Sequence, residues 1–368
     1  MRKVIFLLFV FFVSCRQSPQ NQIKISKYTV YLDSLSESFP AITHLSYVPL
    51  ETTKASLINQ IDKIEYCNHK IYIFDKSAMQ ILCFDDHGRF LNAIHNVGQG
   101  PGEYISPSDM DVDEAGNVYV FDFPSERVIK YNLGDERDFE IFDVGERALD
   151  FVVTKQSVFF SRMVRKSSFA INLASWNRQT KVLKILKENE LKKKEEPSYY
   201  SSHYFYRSGS DIYYYERFHS VIYQIVDDNI EEYISFSSLK NPTLNDVRTL
   251  NQKSPEERMK SDFIKDVSAC FCTKNNILVT FQAMPLIYSL IQKNTGKVYC
   301  TNSLRKFGIL GFGAFAATEK DFISYCTPTQ ENMKYILAMG TAITGTEKEQ
   351  FMGIREDDNP ILIFFSFD

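Results

Sequence analysis

No basic run longer than Lys192–Lys194 occurs in this 368-residue chain. Phosphate backbones need clustered cations, so nucleic acid is excluded as a partner. No G-x-S-x-G element is present, and no cysteine sits in an electropositive turn, so serine-hydrolase and cysteine-nucleophile motifs are missing. The six histidines (His44, His69, His87, His95, His203, His219) show no close pairing, and Cys270 and Cys272 stand one residue apart. Neither pattern has zinc-ligand spacing, so no metal and no cofactor is expected. The longest apolar run, Val4–Val13, is ten residues, too few to span a bilayer core as a helix. Tryptophan occurs once, against 30 phenylalanines and 21 tyrosines. That aromatic balance suits pleated faces and points to a β-rich chain.

The apolar run follows Arg2 and Lys3 and ends at Ser14-Cys15. A basic start, a short apolar stretch and a small residue form a processing signal. With cysteine directly after the small residue, the segment resembles the bacterial lipobox. The resemblance implies cleavage after residue 14 and acylation of Cys15. Residues 15–22 then form a lipidated tether, and 23–368 a single domain. Loss of Arg2 and Lys3 with the leader takes the net charge from −4 to −6. An exported location permits disulfides. Even so, most of the remaining cysteines (Cys67, Cys83, Cys270, Cys272, Cys300, Cys326) lie within apolar strands and read as buried thiols.

Four segments share an internal ruler. Ile71, Val118, Ile212 and Ile277 each open a strand-like run, with an aliphatic residue ten positions on (Ile81, Val128, Ile222, Ile287). An apolar or aromatic residue follows at thirteen (Phe84, Tyr131, Ile225, Leu290). The first three add a tyrosine at one (Tyr72, Tyr119, Tyr213) and an acid at four (Asp75, Asp122, Glu216). The second start lies 47 residues after the first, and the third lies 94 after the second, twice that period. Strand, tight turn and strand at this period mark a β-propeller blade.

The doubled interval requires a degenerate third blade between Ala148 and Leu186. The interval from Ile212 to Ile277 is 18 residues too long, and the excess falls in a helical insertion over about 241–262, with Ser254-Pro255 as a helix start. A second helical insertion spans about 331–341. The last blade lacks its outer strand, which Thr43–Leu50 supplies by pairing with Pro360–Phe367. The fold expected is all-β: a six-bladed β-propeller of four-stranded antiparallel blades, closed by N- and C-terminal strands.

Three strings carry a family resemblance: Tyr47-Val48-Pro49-Leu50-Glu51-Thr52-Thr53, Gly98-Gln99-Gly100-Pro101-Gly102-Glu103-Tyr104 and Asn359-Pro360-Ile361-Leu362, with Ile71–Asp75 between the first two. In order and spacing they resemble a large Bacteroidetes family of six-bladed propeller lipoproteins, related in architecture to NHL-repeat proteins. The resemblance implies a cell-envelope location and brings no catalytic residues. Surface-exported members carry acids just after the lipidated cysteine. Here none occurs between Cys15 and Asp33, which favours an outer-membrane anchor facing the periplasm.

In such a blade, the loop leading into the innermost strand and the loop between strands two and three share one face. That face would present Glu103, Tyr104, Glu216, Arg217 and His219, the candidate ligand-binding residues. Acid, cation, aromatic and imidazole on one turn suit a glycan or peptide. The glycines of 98–104 read as an interblade crossing fastened by Glu103 and Tyr104, since a P-loop's Lys-Ser/Thr ending is missing. Asp109, Asp111 and Asp113 share one strand face and could line the channel with negative charge. The function expected is a binding module for a glycan, peptide or envelope protein. The alternative is a lyase or hydrolase at the channel mouth, which would need titratable groups converging in one place.

Overall fold

The computed structural model describes residues 26–368 except 166–167, 191–202, 255, 258–259, 262, 265, 312 and 340–350. The proposed leader, Cys15 and the tether lie outside the described residues.

Two strands, β1 (Tyr28–Tyr31) and β2 (Ile42–Pro49), precede the first complete blade. Blade one is β3 (Lys63–Cys67), β4 (Lys70–Asp75), β5 (Gln80–Asp85) and β6 (Phe90–Ile94). Blade two is β7 (Pro107–Val112), β8 (Val118–Asp122), β9 (Arg127–Tyr131) and β10 (Phe139–Asp143). The degenerate third blade is complete: β11 (Asp150–Val153), β12 (Ser157–Arg165), β13 (Ser168–Asn177) and β14 (Leu183–Glu188). Blade four is β15 (Phe205–Ser208), β16 (Asp211–Tyr215), β17 (Val221–Val226) and β18 (Asn229–Ser237). After helix α1 (Leu244–Asn251), blade five is β19 (Asp266–Cys272), β20 (Asn276–Gln282), β21 (Ile287–Gln292) and β22 (Val298–Thr301). Blade six combines β23 (Ala316–Ala317), β24 (Phe322–Cys326) and β25 (Ile361–Phe367), with helix α2 (Gln330–Met339) between the last two. Within each blade the four strands are antiparallel, and in blades one to five they run in chain order from the innermost strand outward. The innermost strands touch in a closed cycle, β23 meeting β3. The chain is a six-bladed β-propeller.

Ring closure follows the expected pairing. β2 is the outer strand of blade six, with Tyr47 opposite Ile363 and Pro49 opposite Ile361. Two details depart from the sequence expectation. First, β1 adds a fifth strand to blade four, parallel to β18, with Tyr28 opposite Ile234. Second, the innermost strand of blade six is only Ala316–Ala317. Gly311 and Gly313 hold φ of 96° and 115°, which breaks the extended ladder there.

The strands read as unbroken apolar runs because both faces of each blade are covered. Along β4, Ile71 and Ile73 pack toward blade six while Tyr72 and Phe74 pack toward blade two. Along β8, Val118 and Val120 face blade one, whereas Tyr119 and Phe121 meet Phe151 and Phe160 of blade three. Alternation sends successive side chains to opposite neighbours. Each such fully buried side chain contributes about 1.5–3 kcal/mol.

Two of the family-like strings, Tyr47–Thr53 and Asn359–Leu362, build the latch. Asn359 donates from Nδ2 to the carbonyls of Glu51 and Ser56, both at 2.8 Å, and accepts from the Ile58 N–H at 2.9 Å. Its own N–H donates to Thr52 Oγ1 at 2.8 Å, and the Phe90 N–H of blade one donates to Glu51 Oε2 at 2.7 Å. One buried amide therefore ties the last blade to the segment entering the first.

Candidate functional site

The acid four residues into the ruler has a structural task in two blades. Asp75 accepts from the Asn59 N–H at 2.7 Å, and from Ser77 Oγ and the Ala78 N–H at 2.7 and 3.0 Å. Asp122 accepts from the N–H groups of Ile105 and Ser106 at 3.1 and 2.8 Å, and from Ser125 Oγ. Each buried carboxylate thus fixes its own turn and the segment leading into its blade.

Blade four departs from this rule. Glu216, one methylene longer, reaches out of its own blade and accepts from Asn172 Nδ2 of β13. Its carboxylate also lies 3.1 Å from Lys187 Nζ and 3.3 Å from His219 Nε2. Asn172 in turn accepts from Arg162 Nη1 at 3.3 Å. Arg162 has φ of 52° beside a bulge in β12, a backbone geometry that re-aims a side chain. Burial alone would lower the Lys187 pKa, but Glu216 and Tyr223 outweigh it and the pKa is raised. Lys187 and His219 keep 22% and 30% of their side-chain surface.

The other candidates are placed differently. Arg217 is 9% exposed and binds Asp266, which heads the inner strand of blade five, at 2.9 Å. Glu103 accepts from the Gly100 N–H at 2.7 Å. Tyr104 is fully buried and donates to the carbonyl of Met79 at 2.8 Å. Together with the Tyr131 hydroxyl, which donates to Gly102 O at 2.7 Å, they fasten the crossing from blade one to blade two. Glu216 and His219 therefore meet in one cluster, Arg217 pairs on the neighbouring blade, and Glu103 and Tyr104 are occupied elsewhere.

Between the innermost strands lies a second polar layer, of which the sequence pattern showed Asp109 and Asp111 alone. Asp109 accepts from Lys63 Nζ at 3.2 Å and from the Phe151 N–H at 3.2 Å. Asp111 accepts from the Val153 N–H at 2.7 Å and takes a two-pronged pair from Arg207 at 2.8 and 2.7 Å. Asp113 leaves the strand and caps the turn at Ala115 and Asn117. Asp150 repeats the device one blade on, accepting from the N–H groups of Tyr204 and Phe205. His203, just ahead of β15, shares a hydrogen bond with the Asp62 carbonyl at 2.7 Å, spanning from blade four to blade one.

Burial and neighbouring charges move Asp109, Asp150, Glu65 and His203 from their ordinary pKa values. Burial, then the charge of Asp109, holds the Asp150 pKa well above the carboxylate range. Burial would raise Asp109 too, but the Lys63 ammonium prevails and lowers it. Burial pushes the Glu65 carboxyl up to about 8 despite Lys63 beside it. His203 is lowered, chiefly by burial. Three acids and an imidazole with separated affinities for protons can bind or move a proton.

The fold has solved relatives. A crystal structure of an exported-protein candidate from Bacteroides fragilis is 20% identical, with a TM-score of 0.72 over 93% of this chain and 99% of that one. A member of the DUF4221 family from Bacteroides vulgatus is 12% identical, with a TM-score of 0.49 over 90% and 98%. Virginiamycin B lyase from Staphylococcus aureus, an inactive variant solved with quinupristin, is 11% identical, with a TM-score of 0.38 over 71% and 75%. No curated protein matches. Residues 26–366 match the model of the family described as a domain of unknown function, DUF4934, and the chain belongs to that family.

Proposed function

We propose that this chain is a cell-envelope binding module, anchored through acyl chains on Cys15, whose channel-mouth face takes a glycan, a peptide or a protein. The observation that carries this reading is the reassignment of Glu216. A position spent on backbone amides in blades one and two here faces a lysine and a histidine that keep part of their surface. Lys187 stands on β14 and Glu216 is tied to Asn172 of β13, so a ligand meets these groups with a reduced ordering cost. The anchor rests on the lipobox-like segment, and two or more acyl chains suffice for stable attachment.

Two comparisons test the reading. Lys187 and His219 replaced together by Ala should lose capture of a defined oligosaccharide and peptide panel. Asp86 and His87, replaced in the opposite-face turn, should retain it. Equal capture by both folded variants sinks the face assignment. Cys15→Ala should move the protein from the membrane fraction to the soluble one, and unchanged partitioning removes the anchor.

A second reading, a lyase or hydrolase, draws support from the shifted Asp150 and His203 between the inner strands. It predicts turnover of a bond-cleaving substrate that Asp150→Asn abolishes, and turnover insensitive to that change rejects it.

A further inference from the structure

We propose that Asp109, Asp150 and His203 form a binding site for one divalent transition-metal ion, with zinc as the preferred occupant and manganese next. The inference stands on its own geometry and does not depend on the ligand-binding reading above.

Three ligand atoms, one from each residue, lie within 4.8 Å of one another. A point at most about 2.8 Å from all three therefore exists, and contraction of under about 1 Å reaches the 2.0–2.2 Å bonds of zinc. On two of these residues, Asp150 Oδ1 and His203 Nδ1 are buried atoms that receive no N–H or O–H among the described residues, and Asp150 has no exposed surface. Their orphan state is specific. Asp150 spends its other oxygen on the N–H groups of Tyr204 and Phe205, which fixes the orientation of the carboxylate. His203 uses Nε2 on the Asp62 carbonyl, which makes Nε2 the protonated nitrogen and leaves Nδ1 an electron-pair donor. An imidazole oriented by a backbone carbonyl on its far nitrogen is the usual support of a metal-bound histidine. Buried lone pairs without partners cost free energy unless a Lewis acid or a hydrogen meets them.

Glu65, Asp109, Asp111 and Asp150 are all buried between the innermost strands, with Lys63 paired to Asp109 and Arg207 to Asp111. Lys63 donates to both Asp109 oxygens at 3.2 and 3.3 Å, and Oδ2 also accepts from the Phe151 N–H, so Oδ1 is the oxygen with a second lone pair beyond the lysine. Mixed imidazole and carboxylate donors suit zinc or manganese better than calcium or magnesium, which take oxygen ligands. The three ligands leave a fourth position for water or a ligand group.

The test uses the mature full-length chain without an affinity tag, stripped with chelator and dialysed against zinc, manganese, calcium or magnesium chloride. Elemental analysis should find about one zinc per chain, and cobalt substitution should give visible bands of a low-coordinate site. Asp150→Asn and His203→Gln should each weaken zinc uptake tenfold or more. His87→Ala, on the surface, should leave it unchanged. Each variant's folded state is checked by circular dichroism, so a folding failure in one leaves the other to decide. Zinc uptake below one equivalent by the wild type overturns the site, as does uptake by both variants equal to that of the wild type. Zinc lost on His87→Ala alone identifies surface binding and overturns it too.

Discussion

Asp122 shows how much one side chain at a repeat position can do. Its carboxylate, with no exposed surface, accepts two backbone N–H groups from the segment leading into blade two and a hydroxyl from its own turn. Hydrogen bonds to a charged acceptor are worth about 1.5–3 kcal/mol each, and removing the acceptor leaves buried donors unsatisfied. Asp122→Ala should therefore destabilise by roughly 3–5 kcal/mol, and Asp122→Asn by less, because its amide oxygen still accepts. Chemical denaturation of both variants measures this, and equal losses would show that charge rather than acceptance matters. Glu216 stands at the same repeat position, so its sequence context alone suggested a partner for the acids of blades one and two. Its different use follows from reach: the extra methylene carries the carboxylate to Asn172, which lies 44 positions away in the chain.

At the scale of the element, legibility followed periodicity. Blades one and two carry apolar runs bounded by tight turns, and the ruler's starts, Ile71 and Val118, fall within the first two residues of β4 and β8. The +13 partner of the ruler is literal there: Ile71 stands opposite Phe84, and Val118 opposite Tyr131. In blade five the register slips by one, Ile277 facing Ile291, so the pattern survives with a shifted partner. β1 was not legible: four residues joined in parallel to a strand some 200 positions away leave no turn signal. The layer of Asp109, Asp150 and His203 was illegible for a related reason. Its members come one from each of three blades, and only closure of the ring juxtaposes them. The latch, by contrast, was visible as strings without a task. Asn359 gives them one, so Asn359→Ala should cost about 2–4 kcal/mol by orphaning the Ile58 N–H and two carbonyls. Hydrogen exchange should then speed first in β2 and β25, the two strands that close the ring. Uniform acceleration in every blade would mean that the latch is not where the ring opens.

For the molecule as a whole, the thiols and phenols set the pH range of stability. All six described cysteines are free, and five are buried. Burial pushes the Cys83 thiol up to about 11 and Cys326 to about 12, from an ordinary 9.0. Burial also raises Tyr204 to about 12, and raises Tyr206, Tyr214 and Tyr215 well above their usual range. An acid whose folded pKa lies above its unfolded one holds its proton longer when folded. Its stabilisation is complete below the unfolded pKa and is lost as pH rises through the folded one. At pH 11, Cys83 and Cys326 together should cost about 5 kcal/mol relative to pH 8, with the tyrosines adding more above pH 10. The urea midpoint should therefore be flat up to about pH 8.5 and fall steeply between pH 9 and 11. A disulfide-bonded ring would not show the thiol part of that fall. Thiol reagent added at pH 8 should label Cys67 first, the half-buried one, and the other five only after unfolding. A midpoint that stays level to pH 11, or five thiols that react in the native state, would mean that water reaches the interfaces between the blades.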